Sequence, residues 1–253
     1  MYAEERQQAV AERVMRDGRV DVAQLVEEFA VTGETVRRDL VALERRGVLR
    51  RTHGGAIPVK RLGFEPATPV RAAVMQAEKE RIARAALHEV PSEGAILIDT
   101  GTTTGAVAEM LPDDRQLKVV TNSLQVINAL VNRPNITLMA LGGRIRSVSM
   151  SSVDAWALRA LSEVRVDVAF IGANGVTVEH GMTTSDQAEA SVKAAMVHSG
   201  RRVVLLADHS KVGTEYFHLF GDLSQVDVLI TDSGLDDDLA EDLRAAGPHV
   251  VIA

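Results

Sequence analysis

Short apolar runs recur along the second part of the chain and predict the strands of one sheet. They are AILI at 95–98, KVVT at 118–121, ITLMAL at 136–141, DVAFIG at 167–172, RVVLLA at 202–207, VDVLIT at 226–231 and HVVIA at 249–253. Stretches of helical character separate most of them. Near-continuous Val, Ile and Leu strands that alternate with helices are typical of a largely parallel sheet covered on both faces. The pattern therefore predicts an α/β domain.

The first part of the chain shows helical periodicity instead. Apolar positions predict helices over 4–16 and 22–29, and Ala30-Val31 leaves room only for a tight turn before a third helix. Three helices joined by a turn this short are typical of a helix-turn-helix.

The third helix has recognisable start and stop signals. Thr32 can cap its first turn, Val31 can pack on Val36, and Gly47 can end it. Residues 48–56 follow as a short basic hairpin, with Gly54-Gly55 at its turn. The sequence thus predicts a winged helix-turn-helix in front of the α/β domain.

Proline placement divides these two regions. Pro58, Pro66 and Pro69, with Gly63 between them, are expected to interrupt regular structure from Ala56 to about Val70. We therefore predict a winged helix-turn-helix over 1–57, a linker over 58–73 and the α/β domain over 74–253.

Charge separates the same regions. The 253-residue chain has a formal net charge of −7, yet Thr32 to Arg61 carries eight Lys or Arg against three Asp or Glu. The rest of the chain is acidic and repels DNA, so contacts with DNA phosphates are expected only in the N-terminal part. With no cysteine, no apolar run of membrane-spanning length and a charged start, we expect a cytoplasmic protein without membrane, metal or cofactor partners.

Double-stranded DNA is the partner that this basic segment favours, because the start of a third helix enters the major groove in such folds. The alternative to DNA binding is that the arginine pairs only keep the helix soluble. A cap, the apolar stripe of Val36, Leu40 and Leu43, a Gly stop and a basic hairpin occur in order, which favours DNA binding. The predicted DNA contacts are Thr32, Glu34, Thr35, Arg37, Arg38, Arg50, Arg51 and His53.

Polar loops follow the predicted strands, and ligands of open α/β sheets bind at the carboxyl ends of strands. The loop DTGTTTG at 99–105 combines hydroxyls, glycines and a helix start, which favours an anion. Each of the other loops, taken singly, is more typical of an ordinary turn than of a ligand site.

One segment carries a family resemblance. The pattern T-x-x-T-V-R-R-D-L-x-x-L-E-x-x-G-x-L-x-R-x-H-G-G-A, which begins at Thr32, resembles the DNA-binding signature of DeoR-family bacterial repressors. Many members have Ser where this chain has Thr32, and either residue caps a helix. The resemblance continues through the second domain and implies a fold similar to ribose-phosphate isomerases, glucosamine-phosphate deaminases and CoA transferases, and a phosphorylated sugar or polyol as effector.

The resemblance also implies site residues. The family's D-x-G-[ST]-T, T-N and G-G motifs and two lysines match positions of this chain, with phosphate expected at Thr102 to Thr104. Lys193, in the middle of a predicted helix, could equally lie on a solvated face. The expected effector-site residues are Asp99, Gly101, Thr102, Thr103, Thr104, Thr121, Asn122, Gly142, Gly143, Arg144, Gly172, Lys193, Asp208 and Lys211.

Three functions remain open at this point. The favoured one is a homo-oligomeric repressor, dimer or tetramer, released from its operator by a phosphorylated sugar. Fructose 1-phosphate is the first candidate, because MYAEERQQ and the wing resemble members that accompany fructose-uptake genes. The alternatives are a sugar-phosphate isomerase or deaminase with a DNA-binding arm, for which no pair of acids has compelling spacing, and a DNA-binding protein whose body only oligomerises.

Overall fold

The computed structural model describes residues 2–58 and 65–253. The chain forms two compact units, Met1–Val74 and Met75–Ala253. Among the described residues, no helix combines the length and the apolar character needed to cross a bilayer.

The N-terminal unit is a winged helix-turn-helix. Its elements are α1 (Ala3–Asp17), β1 (Val20–Asp21), α2 (Val22–Phe29), α3 (Gly33–Arg45), β2 (Leu49–Thr52), β3 (Gly55–Pro58) and α4 (Thr68–Ala73). The three strands form an antiparallel sheet in the order β1-β3-β2. Val36, Leu40 and Leu43 are buried in its core, as the apolar stripe predicted, together with Leu25 and Leu49.

Both ends of α3 follow from its sequence. The Thr32 hydroxyl accepts a hydrogen bond from the Thr35 amide at 3.2 Å. At the other end Gly47 has φ +72°, and the Val48 amide donates to the Leu43 carbonyl at 3.0 Å. A left-handed glycine with this bond is the usual way to end a helix.

The wing turn differs by one residue from the prediction. His53 and Gly54 form the turn, and Gly54 has φ +81°. Gly55 instead pairs with Thr52 as the first residue of β3, where a Cβ atom would lie 2.1 Å from the Val20 carbonyl oxygen. Gly55 is therefore needed for the close approach of β1.

The predicted linker over 58–73 contains a helix instead of irregular structure throughout. Residues 59–64 lie outside the described residues, but Thr68–Ala73 is a helix with Pro69 in its first turn. A proline there is compatible with a helix, because the first-turn amides have no partner within the helix. Val70 packs against the core of the N-terminal unit, and this contact gives the segment its regular structure.

The second unit is a seven-stranded parallel sheet with helices on both faces, as predicted. The sheet order is β15-β14-β12-β9-β4-β5-β6. Its strands are β4 (Glu93–Ile98), β5 (Gln116–Thr121), β6 (Ile136–Ala140), β9 (Val166–Gly172), β12 (Gly200–Leu206), β14 (Val228–Thr231) and β15 (His249–Ile252). Its helices are α5 (Gln76–Ala86), α6 (Thr102–Met110), α7 (Leu124–Leu130), α8 (Ala155–Ser162), α9 (Gln187–Ser199) and α10 (Asp237–Ala245).

Alternate residues of one strand belong to the two cores. Leu97 lies in one cluster, whereas Ile96 and Ile98 lie in the other. Because the strands are parallel, their carboxyl ends all lie at one edge of the sheet. The polar loops that follow these strands are therefore brought to that edge.

Two smaller strand groups were not predicted. One is the antiparallel ribbon of β7 (Arg144–Arg146) and β8 (Ser151–Val153). The other is an antiparallel sheet of β10 (Gly175–Thr177), β11 (Gly181–Thr184) and β13 (His218–Gly221).

Candidate functional site

The exposed side of α3 forms a basic groove with the wing. Val36, Leu40 and Leu43 bury the opposite side of the helix. The groove is lined by Glu34, Arg37, Arg38, Val41, Ala42, Arg45 and Arg51. Four guanidinium groups beside one carboxylate make this surface attractive to phosphates and to guanine edges.

The other predicted DNA contacts lie around this groove. The hydroxyls of Thr32 and Thr35 lie 2.9 Å apart and are bonded to each other. A guanidinium nitrogen of Arg37 lies 3.8 Å from Glu34 across one helical turn, with both side chains largely exposed. Arg38, Arg50 and His53 are also exposed.

Arg51 is held by a residue that sequence reasoning missed. Its backbone amide donates to Glu44 Oε1 at 2.9 Å and its Nε donates to Glu44 Oε2 at 2.7 Å. The hydrogen bond from the Arg51 backbone amide, and next the one from the Arg51 guanidinium, lower the pKa of the Glu44 carboxyl below its ordinary value. Glu44 therefore joins α3 to β2.

A buried ion pair anchors α3 on the first helix. Arg6 Nε donates to Asp39 Oδ2 at 2.5 Å and Gln7 Nε2 donates to Asp39 Oδ1 at 3.0 Å. Asp39 stands on the buried face of α3, next to Leu40. An acid on an apolar face was the available signal for such a pair.

The carboxyl edge of the sheet contains a second polar site, centred on Asp99 at the end of β4. Its carboxylate accepts the Thr100 amide at 2.7 Å and the Gly172 amide at 3.0 Å. The Lys193 ammonium donates to Asp99 and, at 2.9 Å, to the Gly172 carbonyl. Only 2% of the Lys193 side chain is exposed, so the solvated-face alternative for this lysine is wrong.

The ion pair continues through two residues that were not predicted. Glu189 lies one turn before Lys193 on α9, with a carboxylate oxygen 3.9 Å from its ammonium. The other oxygen of Glu189 is 3.0 Å from Arg146, which also lies 3.5 Å from Asp186. The spacing of Glu189 and Lys193 was a usable signal, whereas Arg146 comes from the distant β7.

The three threonines at the start of α6 have different environments. Thr104 is fully buried and its hydroxyl donates to the Gly101 carbonyl at 3.1 Å. Thr103 is 8% exposed and Thr102 is half-buried. The first backbone bond of the helix runs from the Gly105 amide to the Gly101 carbonyl at 2.9 Å. Amides before Gly105 in the first turn lack an intrahelical acceptor and can donate to an anion.

Thr121 and Asn122 follow β5. The Thr121 hydroxyl is already used, since it donates to the Ile98 carbonyl at 2.6 Å and accepts the Ser123 amide at 3.0 Å. Asn122 Nδ2 donates to the Ser152 carbonyl at 3.2 Å. Asn122 Oδ1 is buried and has no hydrogen-bond partner among the described residues. It is an acceptor that a ligand hydroxyl can satisfy.

Gly142 and Gly143 lead into the β7–β8 ribbon. Gly143 has φ +143°, and a Cβ atom there would lie 2.3 Å from the Val153 carbonyl oxygen. Arg144 is largely exposed and donates to Asp154 at 2.6 Å, which raises its pKa. The ribbon is tied to the loop after β4 by the Thr100 hydroxyl, which donates to the Ser149 carbonyl at 2.8 Å.

Asp208 and Lys211 follow β12. Asp208 is buried and accepts the amide and the hydroxyl of Ser210. Lys211 is half-buried.

A neighbouring carboxylate, Asp232, follows β14 and holds the His209 ring at 2.7 Å. Burial raises the pKa of Asp232, but the amides of His209 and Gly234 and the His209 ring outweigh burial and lower it overall.

The structure thus brings three predicted residues into direct contact, Asp99, Gly172 and Lys193. A Cβ atom on Gly172 would lie 3.7 Å from the Thr104 methyl, so the start of α6 borders the same group. Arg144, in contrast, is engaged in an exposed pair with Asp154.

Comparisons with known proteins match both units. Residues 6–61 match the DeoR-like helix-turn-helix domain, and residues 74–233 match the DeoR C terminal sensor domain. The chain is 36% identical over 252 residues to the HTH-type transcriptional regulator GlpR of Haloferax volcanii, covering 99% of this chain and 98% of that protein. It is 34% identical over 236 residues to the glycerol-3-phosphate regulon repressor of Escherichia coli, covering 92% of each. Among solved structures, ribose 5-phosphate isomerase A of Neisseria gonorrhoeae is 21% identical with a TM-score of 0.40, covering 54% of this chain and 53% of that chain.

Proposed function

Because this chain belongs to the DeoR family of transcriptional regulators, we propose that it is a DNA-binding repressor released from its operator by a specific phosphorylated sugar. Relatives that match more than nine-tenths of the chain are named regulators and repressors, and the chain is a regulator rather than an enzyme. The basic groove of α3 and the wing is the surface that we assign to DNA.

The observation that carries the ligand assignment is the start of α6 beside the Asp99–Lys193 pair, where the amides before Gly105 have no intrahelical acceptor. We assign the phosphate to the first-turn amides and to the hydroxyls of Thr102 and Thr103. The Thr104 hydroxyl is not assigned to the phosphate, because it is fully buried and already donates to the Gly101 carbonyl. Asn122 Oδ1 is assigned to a sugar hydroxyl, because it is a buried acceptor without a partner among the described residues.

Charge compensation is assigned to Lys211 rather than to Lys193. The Lys193 ammonium is already bonded to Asp99 and to the Gly172 carbonyl, so it supports the floor of the site. Lys211 is half-buried in the loop after β12, at the same edge of the sheet.

Fructose 1-phosphate is the first candidate effector, and glycerol 3-phosphate is the second. The resemblance of MYAEERQQ and the wing to fructose-associated members favours the first. The second is favoured by the similarity to a protein named the glycerol-3-phosphate regulon repressor. Both ligands carry a dianionic phosphate, which the threonines can bind, and hydroxyls, one of which Asn122 can bind.

The test is release of an operator duplex, selected by the wild-type chain from random DNA, measured by fluorescence anisotropy. We expect one of the two phosphates to release the DNA, while fructose, glycerol and inorganic phosphate do not. Thr103→Ala should abolish the response and keep DNA affinity, and Arg38→Ala should do the reverse.

A matched control is Thr104→Val, which removes a hydroxyl that is bonded to the Gly101 carbonyl and faces no ligand in this proposal. It should keep both DNA affinity and effector response. Equal loss of DNA binding in the Thr103 and Arg38 variants would contradict the assigned division of roles.

We further propose that the chain acts as a dimer or tetramer. Paired recognition helices then engage repeated or palindromic half-sites, since protein symmetry is mirrored in operator symmetry.

A further inference from the structure

Glu44 is an acidic side chain beside a surface that favours phosphates. Its carboxylate stands on α3 near the groove lined by Arg37, Arg38, Arg45 and Arg51. An acid in this place repels the DNA backbone and by charge alone weakens binding. The geometry around Glu44 supplies an opposite effect.

The two oxygens of Glu44 are both used on the wing. Oε1 accepts the Arg51 backbone amide at 2.9 Å and Oε2 accepts Arg51 Nε at 2.7 Å. Because β2 is the outer strand of its sheet, its outward edge has no neighbouring strand among the described residues, and Glu44 supplies the acceptor for the Arg51 amide. One carboxylate therefore fixes both the backbone of the wing and the side chain that the wing presents.

We propose that Glu44 is a positioning residue for DNA binding, which holds the wing against α3 and orients the Arg51 guanidinium in the groove. Nε bonding to Glu44 leaves the terminal nitrogens of Arg51 for DNA. A side chain that is ordered before binding loses less rotamer freedom when the complex forms, and this gain exceeds the repulsion from the carboxylate.

The test is the affinity of Glu44→Ala for the duplex selected by the wild-type chain. Binding should be about two- to tenfold weaker, the amount expected when one long side chain must be ordered on binding. Charge alone predicts the opposite sign, because the variant has lost a negative charge. Failure of the wild-type chain to select any duplex would count against DNA binding itself, so the two failures are distinguishable.

Two further variants separate position from charge. Glu27→Ala removes the same charge from an exposed site on α2, and it should bind equally or more tightly. Glu44→Asp keeps the charge but shortens the side chain by one methylene, so it should lose affinity as Glu44→Ala does.

A hydroxyl-radical footprint distinguishes positioning from loss of folding. If Glu44 positions the wing, its removal reduces protection at the flanks and keeps protection at the centre of each half-site. Circular dichroism verifies that each variant is folded at the temperature of the assay. Equal or tighter binding by Glu44→Ala, or an even loss of all protections, would overturn the proposal.

Discussion

The ammonium group of Lys193 and the carboxylate of Asp99 are buried together, with 2% and 0% of their side chains exposed. Two charges leave water at a cost that their attraction offsets only when additional hydrogen bonds are made. Asp99 receives such bonds from the Thr100 and Gly172 amides, and Lys193 donates to the Gly172 carbonyl. The pair is thus a rigid base for the carboxyl ends of β4 and β9.

Lys193→Met should therefore destabilise the sensor unit severely. The buried Asp99 carboxylate would lose its cation, and removing one partner of such a pair costs about 3–5 kcal/mol. The measurement is the free energy of unfolding in urea. The double variant Asp99→Asn with Lys193→Met should recover much of the loss, because no unpaired charge remains.

The matched control for this pair is Arg144→Met, which breaks the exposed pair with Asp154. Exposed pairs contribute little to stability, so its unfolding midpoint should equal that of the wild-type chain. A Lys193→Met midpoint that also equals the wild-type value would refute the role given to the pair.

At the level of elements, the turn between α2 and α3 contains an unfavourable residue. Ala30 has φ +50° and ψ +44°, the left-handed conformation that a Cβ atom makes costly. The packing of α2 and α3 on one core holds it there. A glycine at this position adopts the same conformation without the penalty.

Ala30→Gly should therefore raise the melting temperature of the N-terminal unit. Relief of about 1–2 kcal/mol of left-handed strain exceeds the extra flexibility that glycine gives the unfolded chain. Ala9→Gly, at a half-buried position in the middle of α1, is the same change in a helical residue and should lower the melting temperature. If both variants changed the melting temperature in the same direction, Ala30 would not be strained.

Elements with their own periodicity were predictable, and elements defined by a distant partner were not. The stripe of Val36, Leu40 and Leu43 predicted α3, and the apolar runs predicted all seven strands of the main sheet. β1 has two residues and exists only because β3 pairs with it. The β7–β8 ribbon likewise lacks an apolar run, so no local pattern announced it.

The candidate site divides in the same way. The family resemblance and the position of the loops after the strands predicted Asp99, Gly172 and Lys193 as site residues. Their contact was not predictable, because Asp99 and Lys193 are 94 positions apart and meet only after the sheet has formed. Glu44 was missed because its partner, Arg51, lies on the wing. The sequence indicated only DNA as a binding partner for the arginines of the wing.

For the whole molecule, charge and ligand chemistry are divided between the two units. The basic segment from Thr32 to Arg61 belongs to the helix-turn-helix match, while the acidic remainder contains the sensor match. A ligand in the sensor can release DNA only if it binds the DNA-free state more tightly than the DNA-bound state. Control of this kind is a coupling free energy between two sites, and such coupling is reciprocal.

Operator DNA should accordingly weaken binding of the effector by the same factor by which the effector weakens binding of the operator. Couplings of this kind are about 1–3 kcal/mol, or roughly 5- to 150-fold in affinity. The measurement is calorimetric titration of the releasing phosphate into the chain, alone and with increasing operator duplex. Under coupling the apparent Kd rises and then reaches a plateau as the duplex saturates the protein. An apparent Kd that rises without limit would mean that DNA and effector compete for one surface, and an unchanged Kd would mean that the sensor does not control DNA binding.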